Sequence, residues 1–448
     1  MPCSSDFDRL WMPFTFHGDM RDFPPRVIER GKGLYVYDSA GRRIMDAVGS
    51  WWVSSFGHCH PHIAAAVRKQ ASRLDHVLMA GFVSEPTMRL TALLADLLPK
   101  ELTRIFYSDD GSTTVEVALK IALQYHALRG SSRSEFVGLG NGYHGDTLGA
   151  MSVSSIPAYH TLFHERFRKH HSVDSPYCYR CPVGKDAATC DAECMDSLAK
   201  LLEERGDKIA GCIFEPMLQG AAGMRVYPAK VLKKIFALCE QHQTITIADE
   251  VATGLGRTGR LFACDHAAAT PDIMCLAKGL TGGFAPMGIT AVKERLFEEF
   301  KGEPGSMRIL CHGHSFTGNP IAASAACATM ELIRRHRIPA SLDKISACFR
   351  KRLEEFRDCD AVGDIRSIGL IGAIELVRNR ATREPFPPSA RIGFSVAQAA
   401  LRHGLLLRPL GDVLYFFPAF IITEKQIDEM FGILHRSLKE TLRAAPAC

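Results

Sequence analysis

The sequence predicts an α/β protein with a large domain whose mostly parallel sheet is flanked by helices, and a smaller α+β domain drawn from both termini. Three observations carry this reading. The centre of the chain alternates short apolar runs with longer stretches of helical spacing, the pattern of a parallel sheet with crossover helices. From about Ala340 onward the order of elements changes. Near the start, a hairpin-like piece precedes the first long helical stretch.

In chain order, the hairpin is Gly33–Asp38 with Arg43–Asp46. The central strands are Arg104–Tyr107, Phe136–Leu139, Gly211–Phe214, Thr244–Ala248 and Ile273–Leu276, each short, apolar and bounded by polar, Gly or Pro signals. Between them, Val115, Leu119, Ala122 and Tyr125 keep a helical interval. The tail reads as helix Ser341–Arg357, strand Ile371–Val377, helix Ile392–His403 and short strands at Leu405–Leu407 and Leu414–Phe417. This divides the chain into an amino-terminal segment 1–60 that joins the small domain, a large domain 61–339 and a small domain 340–448. A chain of 448 residues is long enough for such a pair. In parallel sheets ligands bind beyond the carboxyl ends of the strands, and Asp110, Glu215, Asp249 and Lys278 fall there.

Composition narrows the function classes. Hydrophobic residues make up 46% and charged residues 23%, as in ordinary soluble proteins. The net charge of +5 is not gathered into a basic tract, which argues against nucleic acid. The most apolar stretch, Ile321–Met330, is too short to span a bilayer and reads as a buried helix, so no membrane partner is expected. The chain has 15 cysteines, an odd number, and its first residues lack the basic and apolar regions of a secretory leader. A reducing cytoplasm is expected.

Four segments carry chemistry together that none carries alone. Asp272–Gly279 delivers Lys278 at the end of an apolar strand; a desolvated lysine is a nucleophile for carbonyls and for pyridoxal phosphate (PLP). Alone it is also how a lysine leaves a strand for solvent. Thr244–Val251 ends in Asp249, a carboxylate that could keep a pyridine nitrogen protonated, or simply a turn residue. Ser108–Glu116 runs from strand through Gly111 into a helix, with Thr113 and Glu116 at capping-box spacing; a helix start suits a phosphate. Asn141–Asp146 places Tyr143 between glycines, where its ring could stack on a planar cofactor. Gly254-Leu255-Gly256-Arg257-Thr258-Gly259 matches G-x-G-x-x-G, yet five residues separate it from the strand, against the dinucleotide fingerprint.

These segments resemble the class III aminotransferases of fold-type I PLP enzymes. The motif is Ala248-Asp249-Glu250-Val251-Ala252-Thr253 through Gly259, followed by Pro271-Asp272-Ile273 and Ala277-Lys278-Gly279. Within that family, Trp11–Thr15, Ser50-Trp51-Trp52, Asn141–Thr147, Gln219–Met224 and Leu407–Gly411 look like the 7,8-diaminopelargonic acid aminotransferases of biotin synthesis, over about Leu10 to Thr423. The resemblance implies PLP as cofactor, with Lys278 as its Schiff-base lysine and Asp249 at the pyridine nitrogen. Asp110, Gly111 and Ser112 would line the phosphate, and Tyr143 and Val251 the two ring faces. Gly313, His314 and Ser315 match a loop that reaches the phosphate across a homodimer interface, with Ser315 where the family usually has threonine. The substrate pocket would draw on Phe14, Trp51, Trp52, Tyr143, Asp146, Lys278, Gly313 and Arg408, the arginine facing a carboxylate.

The implied reaction is ping-pong transamination of 7-keto-8-aminopelargonate to 7,8-diaminopelargonate through a pyridoxamine phosphate form. Phe14 stands where the S-adenosylmethionine-using branch has tyrosine, and Gly363–Arg366 with Arg408–Asp412 looks like a branch that uses lysine, so L-lysine is the expected amino donor, with S-adenosylmethionine the other candidate. The competing readings are another class III enzyme acting on ω-amino acids, and a nicotinamide oxidoreductase built on the Gly254 loop. Cys178, Cys181, Cys190 and Cys194, spaced C-x-x-C and C-x-x-x-C, form a secondary candidate for structural zinc.

Overall fold

The computed structural model describes Phe7 and residues 9–166 and 170–444. Its centre is a seven-stranded sheet in the order Leu102–Ser108, Gly288–Lys293, Ile273–Leu276, Ile245–Asp249, Ile209–Phe214, Glu135–Leu139, His171–Val173. Gly288–Lys293 runs antiparallel to both neighbours, and the other strands pair in parallel. Every residue of Ile209–Phe214, Ile245–Asp249 and Ile273–Leu276 is buried. Strands covered on both faces need continuous apolar runs, which is why these three are readable in the sequence. Gly288–Lys293 is not anticipated there; it follows a Gly/Pro-rich turn, and a hairpin return breaks the strand–helix alternation.

Helices cover the sheet. Gly111–Leu128 packs on the central strands. Pro320–Arg335 begins with Asn319, whose side chain accepts from the Ile321 and Ala322 amides, the usual way to satisfy a helix start. The stretch Ile321–Met330 lies in this helix and is mostly buried. Among the described residues no helix is long and apolar enough to cross a membrane.

The smaller α+β part has a three-stranded antiparallel sheet, Val362–Ile368, Ile371–Leu376 and Val413–Phe416, packed against helices Asp343–Glu354, Ile392–Arg402 and Glu424–Ala444. A four-stranded sheet joins the termini: Ile28–Lys32, Tyr35–Asp38 and Arg43–Asp46 end on Leu405–Leu406, with Leu405 beside Met45. Val362–Ile368 does not read as a strand because Asp364 and Arg366 interrupt its apolar pattern. Those charges are answered in three dimensions: Arg366 binds Asp364, Glu375 and the Gly223 carbonyl.

Two side candidates from the sequence can be placed in the fold. The G-x-G-x-x-G segment leads to no long helix; the next helical element is the 3-10 turn Ala263–Ala267. Instead, Arg257 is buried, donates to the Pro418 carbonyl at 2.6 Å and lies over the Phe417 and Phe420 rings. The loop is a brace between the large and small parts. As for the four-cysteine loop, among the described residues no group of three or more His, Cys, Asp or Glu side chains is placed to hold a metal ion. The loop is pinned by Tyr177 and Arg180 to Glu375, by Arg383 to the Tyr179 carbonyl, and by Lys230 to the carbonyls of Ala187 and Cys190. Burial pushes the Cys194 thiol up to about 11, so it stays protonated.

Candidate active site

At the carboxyl ends of the parallel strands lies a cavity of about 480 Å³. Its walls bring together Trp52, Asp110, Gly111, Ser112, Tyr143, Asp249, Val251 and Lys278 from five separate stretches of chain.

One wall is the start of helix Gly111–Leu128. Asp110 is its cap: the carboxylate accepts from the Thr113 amide at 2.8 Å, and the Asp110 amide donates to Thr113 Oγ1 at 3.0 Å. The capping box therefore sits on Asp110 and Thr113, not on Thr113 and Glu116. Glu116 instead accepts from Thr147 Oγ1 and the Ala150 amide. A Cβ on Gly111 would stand 2.7 Å from Val251 Cγ1, and one on Gly145 only 2.2 Å from Ser112 Oγ. Only glycine lets these turns close round the helix start. The helix dipole and its first amides make this end of the cavity an anion cradle.

Asp249 ends the buried strand Ile245–Asp249. Its Oδ2 lies 2.8 Å from His144 Nδ1, and its Oδ1 accepts from the Val251 amide at 3.1 Å. The adjacent acid faces away, as strand alternation requires. Glu250 accepts from Thr253 Oγ1, the Ala263 amide and the Cys264 amide, and burial pushes it up to about 7. Glu215, just past Ile209–Phe214, accepts from the Tyr143 and Gly220 amides at 3.1 and 2.9 Å. Burial, aided by the Asp249 charge, also pushes Glu215 up to about 7.

Lys278 lines the cavity, half-buried, with a φ of 41°. Its Nζ lies 4.8 Å from the Trp52 ring centre. Burial holds its pKa below the ordinary lysine value, although Asp249 and Glu215 pull the other way. The Tyr143 hydroxyl donates to Asp146 at 2.7 Å, and its ring stacks on His160 at 6.0 Å and 11°. Burial raises the Tyr143 hydroxyl well above the usual tyrosine value.

Phe14, Trp51 and Arg408 form a second group beside the cavity. The Arg408 guanidinium lies 4.4 Å over the Trp51 ring, and its Nη2 reaches the Phe14 carbonyl at 3.5 Å. Phe14 meets Trp51 edge-on at 6.1 Å and Tyr159 at 5.0 Å. Among the described residues no carboxylate is within 4.0 Å of Arg408, so its charge is available. Trp51 and Trp52 sit on a turn with positive φ, a conformation that costs each non-glycine residue about 1–2 kcal/mol. The third predicted group does not line the cavity but touches its wall: Gly313 and Ser315 are exposed, and His314 Nδ1 lies 3.4 Å from Oδ2 of Asp109, a lining residue.

His144 and Tyr159 were not singled out in the sequence. His144 is one aromatic in a loop and Tyr159 one in the short helix Pro157–His164, and only their neighbours in space mark them.

The cavity fits PLP. Lys278 has a desolvated amine for the aldehyde, Asp249 a buried carboxylate for the pyridine nitrogen, and the Gly111 cradle, which a Cβ would fill, suits the phosphate. Fold and site together define a PLP-dependent transferase. The class-III aminotransferase family profile matches residues 18–438. The adenosylmethionine-8-amino-7-oxononanoate aminotransferase of Geobacter sulfurreducens is 40% identical over 437 residues, 97% of this chain and 96% of that protein. The solved structure of the enzyme of that name from Methanocaldococcus jannaschii superposes with a TM-score of 0.92 at 36% identity, covering 97% of this chain and 98% of that one. An amine transaminase of an uncultivated Pseudomonas species, solved in its PLP-bound form, also gives 0.92, at 31% identity over 97% of this chain and 99% of its own. This chain belongs to the class III aminotransferases, and its cofactor is PLP.

Proposed function

We propose that this enzyme moves an amino group onto the ketone of 8-amino-7-oxononanoate (7-keto-8-aminopelargonate), giving 7,8-diaminononanoate for biotin biosynthesis, with L-lysine as donor. The observation that carries the acceptor is the unpaired Arg408 laid over Trp51 beside the cavity: a flat cation on an aromatic shelf suits a chain-end carboxylate. The relatives named for this ketone support it. The amine transaminase superposes equally well, so the fold does not separate the two activities, and the pocket edge must.

PLP supplies an aldehyde for the amine and a ring that takes up the electron pair when the carbon–hydrogen bond breaks. The protein does the rest. The Lys278 amine, its pKa lowered by burial, takes a proton from the donor carbon and returns one at the cofactor carbon. Asp249, oriented by His144, would pair with the pyridine nitrogen and help the ring accept electrons. The amides at the Gly111 helix start would hold the phosphate, and Tyr143 and Val251 would border the ring. Donor and acceptor use one cavity in turn, so initial-rate lines should run parallel.

The donor reading rests on Phe14, whose ring has no hydroxyl for a polar donor, although the relatives' names carry adenosylmethionine. The assay offers each donor separately to the holoenzyme. Conversion with L-lysine supports the reading, and conversion with S-adenosylmethionine alone overturns it.

The working unit is a cytoplasmic homodimer. Leu78, Phe82, Ile309 and Phe316 are exposed, and the two segments that bear them meet, with His76 5.3 Å from Phe316. Apolar clusters of this kind mark an interface, and the 313–315 loop beside them would serve the second copy's phosphate. Every cysteine among the described residues is free, which suits a reducing compartment. Sedimentation at working concentration tests the dimer; a monomer that retains full activity rules it out.

A further inference from the structure

Gly49, Ser50, Trp51 and Trp52 have φ of 56°, 46°, 68° and 75°. Four such residues in a row make a turn of left-handed helix, closed by the Trp52 amide on the Val48 carbonyl and the Val53 amide on the Gly49 carbonyl. Glycine suits the first position twice over, because a Cβ there would also stand 2.8 Å from the Phe417 carbonyl oxygen. Serine and tryptophan do not suit the others, because their Cβ crowds the following carbonyl. A backbone disfavoured by its own residues has to be held by its surroundings.

Asp46 is placed to do this. Its Oδ1 accepts from the Val48 amide at 3.1 Å, and its Oδ2 accepts from Ser50 Oγ at 2.7 Å and lies 2.9 Å from His58 Nε2. The side chain is 2% exposed. Burial alone would raise its pKa, but the hydrogen bonds from His58 and Ser50 outweigh burial and keep the carboxyl below its usual value. His58 is itself fixed by amide–carbonyl bonds in both directions with Gly33, at 3.1 and 2.7 Å. The turn sends its two indoles to different places: Trp51 to Arg408 and Phe14, Trp52 to Lys278.

We propose that Asp46, with Ser50 and His58, is a positioning residue for substrate binding: it clamps the left-handed turn that sets Trp51 at the pocket edge and Trp52 beside Lys278. The idea rests on the cavity being the transamination site, but not on which donor or acceptor is used. Asparagine at position 46 has one acceptor oxygen, so it cannot accept both at the Val48 position and at the Ser50–His58 position, as the two carboxylate oxygens do. Asp46→Asn should therefore raise KM for the amine and ketone substrates about tenfold, the loss expected for a hydrogen bond to a charged group, while kcat changes less than about threefold.

Two further readouts separate a clamp from general support of the fold. The first is a backbone rescue. Glycine accepts positive φ freely, so Ser50→Gly added to Asp46→Asn should bring KM back to within about threefold of the parent. The second is emission from the cofactor-free protein in a Trp11→Phe background, which leaves Trp51 and Trp52 as the only indoles. Asp46→Asn should red-shift it and Ser50→Gly should reverse the shift. Asp38→Asn serves as the control, since Asp38 is a buried acid of the same sheet that binds Arg26 and Arg42, away from the turn; it should lower the melting temperature and leave KM and emission alone. If Asp46→Asn does not fold, Ser50→Ala against Ser50→Gly gives the same reading, with alanine the worse of the two. Unchanged KM and emission in Asp46→Asn, no rescue by glycine, or an equal KM rise in Asp38→Asn would each overturn the clamp. A parent enzyme that transaminates nothing would instead overturn the functional reading, and the emission result would still report on the turn.

Discussion

The helix start at Asp110–Thr113 and the turn at Gly49–Trp52 both border the cofactor cavity, yet they keep their shape by opposite means. At the helix start, the cap, its partner and the bare glycine are neighbours in sequence: Asp110 serves Thr113, three residues on. The backbone there adopts what its residues prefer. At the turn, the residues adopt what they disfavour, and the support comes from Asp46 and His58. The partner of Trp51 is further still, Arg408, on the far side of the chain. The helix start is thus built from local, low-strain parts, whereas the pocket edge rests on a turn in a costly conformation and on a partner from the far end of the chain. Strain is affordable where the surroundings over-determine the shape, and a pocket edge assembled from both termini can change its specificity without disturbing the cradle.

Substitutions can break or sharpen this contrast. The largest effect belongs to the residue that faces both ends. Lys278→Ala should lower turnover by roughly 10³-fold or more, the scale of a lost acid–base group, and should abolish the visible band that borohydride removes. Retained turnover would place the proton chemistry elsewhere.

The next tests the support of the cofactor end. Glu250 has a folded value of about 7 against 4.5 for the free group. A raised value favours the folded state below pH 4.5, and that contribution is lost as pH rises through about 7. Urea midpoints of the cofactor-free protein should fall across this window, by on the order of 3 kcal/mol for such a shift. Glu250→Gln should make that slope shallower, leaving the share of Glu215, and the same slope in both proteins would mean that Glu250 is ionised throughout.

At the substrate end, Arg408→Ala should raise KM for the keto acid roughly 10- to 100-fold, the worth of a charged hydrogen-bonded pair, with kcat nearly intact. An equal fall in kcat would move Arg408 from the pocket edge to the chemistry. The smallest effect returns to the helix start. Asp110→Ala should cost about 1 kcal/mol of stability, as for other lost caps, and should speed PLP release in dialysis while KM for the keto acid stays put. A KM change there would dissolve the division between the two ends.

The same division governs what could be read in advance. The buried strands Ile209–Phe214, Ile245–Asp249 and Ile273–Leu276 are legible as apolar runs because the sheet covers both of their faces. Lys278 and Asp249 are legible because a charge at the end of such a run is out of place unless something uses it. Val362–Ile368 is not, because its charges are paired only after folding. The capping box was readable as a spacing but fell on Asp110 rather than Thr113, since local sequence locates a helix start only to within a few residues. Glu250 shows the limit most directly: it looks like a twin of Asp249, and only the pleat decides that one faces the cavity and the other braces a loop.

By itself the sequence determined the alternation of elements, the parallel sheet and the set of groups that a PLP enzyme needs, because these depend on the order of residues along single strands and turns. Tertiary structure alone decided that His58 reaches Asp46, that Arg408 lies on Trp51, and that His144 stands behind Asp249. Those contacts join residues up to hundreds of positions apart, and no local preference encodes them. The left-handed turn is the extreme case: its residues argue against its shape, and only packing from elsewhere in the chain makes that shape the stable one.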